Sequence, residues 1–128
     1  KEILDFIKFN NLKNVIYLGK VEINDYIKIF SAAEFLIEAT SYTSSSLPII
    51  EAAALKKIII SSNIPVLKEM GKTFKIFYFD LNKNNLGKII KTIYKINYKP
   101  IVRFNFKKVK KFTWKKVASK YITEVMNI

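Results

Sequence analysis

The feature that most constrains the fold of this chain of 128 residues is a run of three consecutive isoleucines, Ile58–Ile60. A short, continuously apolar run is typical of a parallel strand that is covered on both faces. Helix signals flank it: Pro48 suits the first turn of a helix that continues to about Lys56, and Pro65 opens a short helix that ends at Gly71. Strands and helices that alternate at this spacing imply right-handed βαβ crossovers, so we predict an α/β fold with a parallel sheet.

The same alternation continues along the whole chain. We predict a Rossmann-like parallel sheet with helices on both faces, because buried strands and amphipathic helices follow one another without a repeat or a low-complexity linker. The four predicted strands lie near residues 15–18, 35–38, 58–61 and 74–79. The predicted helices cover residues 1–10, 26–30, 48–56, 65–71, 86–96 and 114–126. Either Asn24 or Asp25 is expected to cap the second of these helices.

Composition excludes several classes of protein. Half of the residues are hydrophobic, so the chain can bury a core, and its length suits one domain. No apolar run approaches the ~18 residues that a membrane-spanning helix needs. The absence of cysteine and histidine excludes disulfides, a thiolate nucleophile, a Ser-His-Asp triad and an ordinary zinc site. The chain starts at Lys1 rather than Met, and this start lies within a predicted helix. We therefore expect the chain to be part of a longer protein.

The net charge of +13 is concentrated near the carboxyl terminus. Residues 1–80 hold ten lysines and nine acids, whereas residues 81–128 hold thirteen Lys or Arg and only Glu124, a net charge of +12. Such a block favours contact with an anionic membrane or nucleic acid, or else reflects a lysine-rich composition that places lysine on every solvated face. The lysines around Trp114 also fit an aromatic and basic nucleic-acid patch, an interpretation that rests on charge alone.

Several motifs carry a resemblance to a known family. They are Leu47-Pro48-x-x-Glu51-Ala52-x-Ala54, Ile58-Ile59-Ile60-Ser61-Ser62, Ile64-Pro65-x-Leu67-Lys68-Glu69 and, later, Phe112-Thr113-Trp114 before a helix. Without gaps, the stretch from Thr40 to Glu69 resembles the donor-binding core of retaining GT-B glycosyltransferases, and the likeness extends from about Leu12 to Val125. The resemblance implies that residues 1–128 are a single domain, most of the donor-binding domain of such an enzyme. The first strand of that domain and the N-terminal acceptor domain would be absent.

The resemblance also implies a donor site. In the family, the helix that opens at the Leu-Pro step directs its amino terminus at the diphosphate of a nucleoside-diphosphate sugar, because free N–H groups and the helix dipole favour an anion. Glu51 then accepts the ribose hydroxyls as the second glutamate of a Glu-x7-Glu pair; otherwise it is a first-turn glutamate that complements the dipole. Gly19 and Lys20 stand where the family's chain passes the nucleotide base, although a glycine that ends a strand is ordinary. The implied donor-binding residues are Gly19, Lys20, Thr43, Ser44, Ser45, Ser46, Leu47 and Glu51.

The chain departs from the family's pattern at functional positions. Thr43 stands where the family has its first glutamate, so a hydroxyl without negative charge replaces the carboxylate that holds the transferred sugar. Ser44–Ser46 replace glycines that let backbone amides approach the donor closely. Catalytic residues are therefore not assigned. Lys56 and Ile58 replace the family's Gly and Pro, which we interpret as loop variation on the side away from the site.

The resemblance implies retaining transfer of a hexose from a nucleoside-diphosphate sugar to a glycan or glycolipid acceptor in surface glycan synthesis, without a cofactor or a metal. We expect the chain alone to be inactive, because its own N-terminal domain would supply the acceptor site. The expected location is cytoplasmic, at the inner face of the membrane through peripheral contact with anionic lipid, and no nucleic acid is expected as a partner. The alternative is a degenerate GT-B domain that acts as a non-catalytic binding or interaction module.

Overall fold

The computed structural model describes residues 2–126, without the side chains of Trp114 and Val117. The chain divides into two compact units, Lys1–Ser31 and Ala32–Ile128. The strands are β1 (Phe35–Glu38), β2 (Ile58–Ser62) and β3 (Phe77–Phe79). The helices are α1 (Glu2–Phe9), α2 (Ile23–Ala32), α3 (Leu47–Ala54), α4 (Pro65–Met70), α5 (Leu86–Lys95), α6 (Lys99–Val109) and α7 (Trp114–Met126).

The second unit contains a sheet of three parallel strands in the order β1-β2-β3. Phe35 lies opposite Ile58, and Ile60 lies opposite Phe77. Because consecutive strands are parallel, a helix crosses over between each pair: α3 connects β1 to β2, and α4 connects β2 to β3. The predicted α/β fold, a Rossmann-like parallel sheet with helices on both faces, is thereby confirmed.

The central strand β2 anchors the core of this unit, because all five of its residues are buried. On one face of the sheet, Ile58 and Ile60 pack with Phe79 and with Ile93 of α5. Side chains alternate along a strand, so the fully buried Ile59 points to the opposite face. Fully burying a side chain of this size contributes roughly 1.5–3 kcal/mol. The isoleucine run therefore stabilises both layers of helices against the sheet.

Four predicted helices of the second unit are confirmed to within a few residues. These are α3, α4, α5 and α7. Helix α4 ends with Gly71 as its C-cap, as predicted. Helix α7 begins at Trp114 as predicted, and the side chain of Trp114 lies outside the described residues.

Helix α6, eleven residues long, has no counterpart among the predicted helices. Its buried Asn105 joins it to the segment before β3: Asn105 Oδ1 accepts a hydrogen bond from Lys75 N at 2.7 Å, and Asn105 Nδ2 donates to Lys75 O at 2.9 Å. Because Asn105 forms hydrogen bonds with both the N–H and the C=O of Lys75, the backbone of Lys75 needs no partner in a strand. Strand β3 accordingly starts at Phe77 and not at the predicted position 74. Phe74 is buried, and its ring centroid lies 5.5 Å from that of Phe112.

The strand predicted near residues 15–18, in the first unit, is wrong. Between α1 and α2 the chain forms turns and irregular backbone, and Ile16 and Leu18 are 81% and 54% exposed. A stable strand needs hydrogen-bonded neighbours. Here the amide of Val15 instead donates to Leu12 O at 3.2 Å, which makes a turn. Among the described residues, the sheet consequently has three strands and not the predicted four.

Helix α2 begins earlier than predicted. It starts at Ile23, so Asn24 and Asp25 lie within its first turn rather than at the capping position. Asp25 Oδ1 lies 3.1 Å from Lys28 Nζ, and this exposed pair contributes little to stability. Ahead of the helix, Gly19 has φ +63°, a left-handed conformation that glycine adopts without a steric penalty.

Candidate functional site

The carboxyl ends of the three parallel strands meet at one edge of the sheet. In open α/β sheets, ligands bind outside this edge. Residues 39–46, which we call the carboxyl-edge loop, follow β1 here and carry several hydroxyl groups. Two hydrogen bonds tie the loop to the strand ends: Ser46 Oγ donates to Glu38 Oε2 at 3.1 Å, and Ser62 Oγ donates to Thr40 O at 2.6 Å.

Helix α3 begins at this edge. Ser46 is its N-cap residue, 2% exposed, with an extended backbone at φ −128° and ψ 99°. The Ser46 hydroxyl makes no capping hydrogen bond with the helix, because it donates to Glu38 instead. Pro48 in the first turn fixes the start of the helix without adding an amide donor. The positive end of the α3 dipole therefore faces the carboxyl-edge loop and favours an anion there.

Glu38, the last residue of β1, is a site residue that sequence reasoning missed. Its half-buried carboxylate is held at the amino end of α3 by the hydrogen bond from Ser46. The helix dipole stabilises a carboxylate in this position, yet the same carboxylate repels an incoming diphosphate. The position of Glu38 in the sequence could have identified it. An acidic residue directly after the apolar run Phe35–Ile37 marks the carboxyl end of a strand.

The carboxyl-edge loop is closed by its own side chains. Thr43 Oγ1 donates to Ser45 O and accepts a hydrogen bond from Ser45 N at 3.3 Å. Thr40 closes a similar turn, in which its Oγ1 donates to Tyr42 O at 2.7 Å. Such turns between a side chain and nearby backbone shape a loop that has no glycine. A sugar hydroxyl would have to compete with Ser45 for the Thr43 hydroxyl, while the side chain of Ser44 is exposed.

Leu47 and Glu51 share one face of α3, because residues four apart in a helix lie one above the other. Leu47 is the first residue of the helix and is largely exposed, whereas Glu51 is half-buried. Glu51 is the fifth residue of α3, and the first turn contains no acid. The interpretation of Glu51 as a first-turn glutamate that only complements the dipole is therefore wrong. Its role as a ribose ligand stays a prediction.

The predicted site residues fall into two groups. Thr43, the three serines after it, Leu47 and Glu51 belong to the second unit, where they follow β1 or lie in α3. Gly19 and Lys20 belong to the first unit, and both are exposed. That these two groups form one donor site stays a prediction.

Lys56 follows α3 at the amino edge of the sheet, away from the carboxyl-edge loop as expected. It is the residue after the C-cap Leu55 and has a left-handed backbone, with φ +58°. Lys56 N donates to Ala53 O at 3.3 Å, and Lys57 N donates to Ala52 O at 2.8 Å, which are the two bonds of a Schellman motif. A residue with a side chain costs about 1–2 kcal/mol in this conformation. Lysine at position 56 is therefore less favourable for the backbone than glycine would be.

The fold and this edge define a class: an α/β protein with a Rossmann-like parallel sheet and a polar loop where such sheets bind ligands. In comparisons with known proteins, neither a protein-family model nor a curated protein matches the chain. Across residues 2–126, no group of three or more acidic side chains could hold a metal ion. Within the same range, no helix is long and apolar enough to cross a bilayer.

Proposed function

We propose that this chain binds a nucleoside-diphosphate sugar at the carboxyl edge of its sheet, as the donor-binding part of a retaining GT-B hexosyltransferase. One observation carries most of the proposal: α3 opens at that edge, and the side chain of its N-cap residue Ser46 makes no capping hydrogen bond with the helix. The N-terminus of an α-helix is a favourable place for a phosphate group. The face of the same helix presents Leu47 and Glu51, the residues that the resemblance assigns to the donor.

The chemistry of the proposed reaction follows from these groups. The bond between the anomeric carbon and the diphosphate breaks, a new bond forms to an acceptor hydroxyl, and the proton of that hydroxyl passes to the departing diphosphate. The amino end of α3 stabilises the negative charge that develops on the departing diphosphate. Glu51 orients the nucleoside by accepting hydrogen bonds from the ribose hydroxyls. We assign the acceptor, a glycan or glycolipid, to a separate N-terminal domain of a longer protein.

The basic residues after position 80 fit a location at the inner face of the membrane. Their net charge of +12 would attract an anionic leaflet, at about 1 kcal/mol for each lysine near the surface. Vesicle co-sedimentation at two salt concentrations tests this part of the proposal, with neutral and anionic lipid compared. Binding to anionic vesicles should fade as salt rises. Equal binding to both lipids would contradict it.

A second candidate function is a non-catalytic binding module. The specific observation in its favour is the pairing of Thr43 Oγ1 with both the N–H and the C=O of Ser45. Thr43, at the position of the family's first glutamate, thus stabilises the conformation of the loop and carries no charge. An oxocarbenium-like transition state would then lack a carboxylate at that point. Nucleotide binding at α3 would survive, because it depends on other groups.

Calorimetric titration of UDP, GDP and ADP into the chain tests the proposed site. We expect one of these nucleotides to bind, and Glu51→Gln to weaken its binding by about 1–3 kcal/mol, the range for a hydrogen bond to a charged group. The control is Glu69→Gln, the same charge change at an exposed residue near the end of α4 that pairs with Lys72 at 2.6 Å. Failure of all three nucleotides to bind, or an equal loss in the control, would contradict the proposal.

Turnover separates the enzyme from the binding module. It is measured as transfer of radiolabelled hexose by the longer protein to which we expect the chain to belong. Transfer that falls with Glu51→Gln supports the transferase. Nucleotide binding with no transfer, under conditions where the protein is folded, supports the binding module.

A further inference from the structure

A cleft of about 580 Å³ opens at the amino edge of the sheet, opposite the carboxyl-edge loop. Ala33 and Glu34, which line it, precede β1, and Lys57 precedes β2, so the cleft lies where these strands begin. The facing wall is formed by Tyr98 and by residues of α6 between Lys99 and Phe106. All of its lining residues belong to the second compact unit.

Cations dominate the charged groups of this cleft. Its basic lining residues are Lys56, Lys57, Lys99 and Arg103. Among the described lining residues Glu34 is the one acid, and its Oε2 already accepts a hydrogen bond of 2.7 Å from Tyr94 Oη. This hydrogen bond raises the pKa of the Tyr94 phenol. The cleft therefore has a net charge of +3 and attracts anions.

Apolar and aromatic side chains lie among these cations. They are Ile58, Tyr98, Val102 and Phe106. Lys56 Nζ lies 4.6 Å from the centroid of the Phe106 ring, and Lys110 Nζ lies 4.7 Å from the same centroid. A ligand that fills the cleft would thus meet both positive charge and apolar surface. That combination fits an anion attached to an apolar or aromatic body and not a bare inorganic ion.

The positive charge continues along α6. Lys99, Arg103 and Lys107 follow one another every fourth residue, which places them in one row on the helix. All three line a second hollow of about 420 Å³, and Lys99 and Arg103 line the cleft as well. Arginine binds phosphate oxygens through two parallel N–H groups, and lysine binds them as a point charge. The row therefore suits a phosphate ester or a diphosphate.

The backbone at the amino end of α6 adds little to anion binding. The amide of Lys99 donates to Asn97 Oδ1 at 3.2 Å, and Pro100 has no N–H. Side chains must therefore supply most of the affinity for an anion. This makes the cleft suitable for a test by substitution.

We propose that the amino-edge cleft is a second binding site, which takes a phosphate monoester or diphosphate joined to an apolar group. The ligand is either a free phosphate ester or the headgroup of an anionic lipid. The site is independent of the nucleotide proposed at the carboxyl edge, because the two lie at opposite ends of the strands. Arg103 and Lys56 are its principal cations: Arg103 can form paired hydrogen bonds with phosphate, and Lys56 is held beside Phe106.

Phenyl phosphate is the probe for the free ligand. It is titrated into the chain and followed by the backbone amide signals of residues 56–58, 98–99 and 101–103 in nuclear magnetic resonance spectra. We expect saturable shifts, with tighter binding of phenyl phosphate than of inorganic phosphate. Arg103→Gln should weaken the affinity for phenyl phosphate about tenfold, as expected for one hydrogen bond to a charged group. Lys68→Gln, the same charge change at an exposed position of α4 outside the basic block, should leave the affinity unchanged.

Vesicles identify the source of the ligand. Co-sedimentation compares phosphatidylcholine vesicles with and without phosphatidic acid. Preference for phosphatidic acid that is lost in Arg103→Gln and kept in Lys68→Gln supports a lipid headgroup. Saturable phenyl phosphate binding without that preference supports a free phosphate ester. The proposal is overturned if neither probe binds, or if Lys68→Gln weakens binding as much as Arg103→Gln does, since net charge would then account for the effect.

Discussion

Ser46 and Glu38 are joined by a hydrogen bond of 3.1 Å across the carboxyl edge of the sheet, in which the Ser46 hydroxyl donates to the Glu38 carboxylate. This bond turns the N-cap side chain away from its own helix and towards β1. It also holds a negative charge beside the helix end that favours anions. In the proposed donor site, a diphosphate would therefore meet two opposed influences, the dipole of α3 and the carboxylate of Glu38.

Replacement of Glu38 by Gln tests this balance. The variant keeps an acceptor for Ser46 but removes the negative charge, so we expect nucleoside-diphosphate binding to strengthen by about 0.5–1.5 kcal/mol. Calorimetric titration measures the change, and Glu69→Gln again serves as the control for net charge. Weaker binding in the Glu38 variant would show that the carboxylate contributes to the bound state directly.

Thr43 is the position at which transferase and binding module differ most. Thr43→Glu should disrupt the turn with Ser45 and introduce a carboxylate, and under the proposed transferase function we expect hexose transfer by the longer protein to rise by as much as about 10²-fold. Thr43→Ser, which can keep the hydroxyl in the turn, is the matched control. A large fall in transfer on Thr43→Glu would mean that the sugar pocket has adapted to threonine.

Two substitutions at Lys56 separate the free-energy cost of its left-handed backbone from the effect of removing its side chain. Lys56→Gly and Lys56→Ala both remove the ammonium group that lies 4.6 Å from the Phe106 ring centroid, but only glycine relieves the left-handed backbone. We expect the glycine variant to have the higher free energy of unfolding, by about 1–2 kcal/mol. Urea denaturation followed by circular dichroism measures this difference. Equal stabilities would show that the backbone relaxes around a side chain.

Gly71 is required by a close approach and not by its backbone angles, since its φ is −64°. A Cβ on this residue would lie 2.1 Å from Tyr78 Oη, which donates to Leu67 O at 3.1 Å. Gly71→Ala should therefore lower the free energy of unfolding by about 1–3 kcal/mol, as overpacking does. Tyr78→Phe in the same chain should recover part of this loss, because the clashing oxygen is then absent.

Gly87 is the matched control for that substitution. Nothing lies within 4 Å of a Cβ built on Gly87, which is in α5. Gly87→Ala should raise the free energy of unfolding by roughly 0.5–1 kcal/mol, the usual advantage of alanine over glycine in a helix. If both alanine substitutions had the same effect, the contact with Tyr78 would not be what requires glycine at position 71.

Local patterns were sufficient for most of the second unit. The isoleucine run, the two prolines that open α3 and α4, and the amphipathic stretch of α5 each report a conformation set within a few residues. The parallel sheet followed from their alternation. The sequence also predicted part of the candidate site, namely the start of α3 at the edge of the sheet. That start depends on Ser46 and Pro48, which are local signals.

Tertiary structure decided what depends on distant residues. Leu18 and its neighbours have the composition of a strand but no strand partner in the first unit, so composition alone could not settle their conformation. Glu38 belongs to the candidate site because it accepts a hydrogen bond from Ser46, eight positions away. Strand β3 is shorter than predicted because Asn105 forms hydrogen bonds with Lys75, thirty positions away. The amino-edge cleft likewise joins Lys56 to Arg103. Sequence periodicity reports which side of an element is buried, whereas hydrogen bonds and clefts between distant segments exist only once packing has brought those segments together.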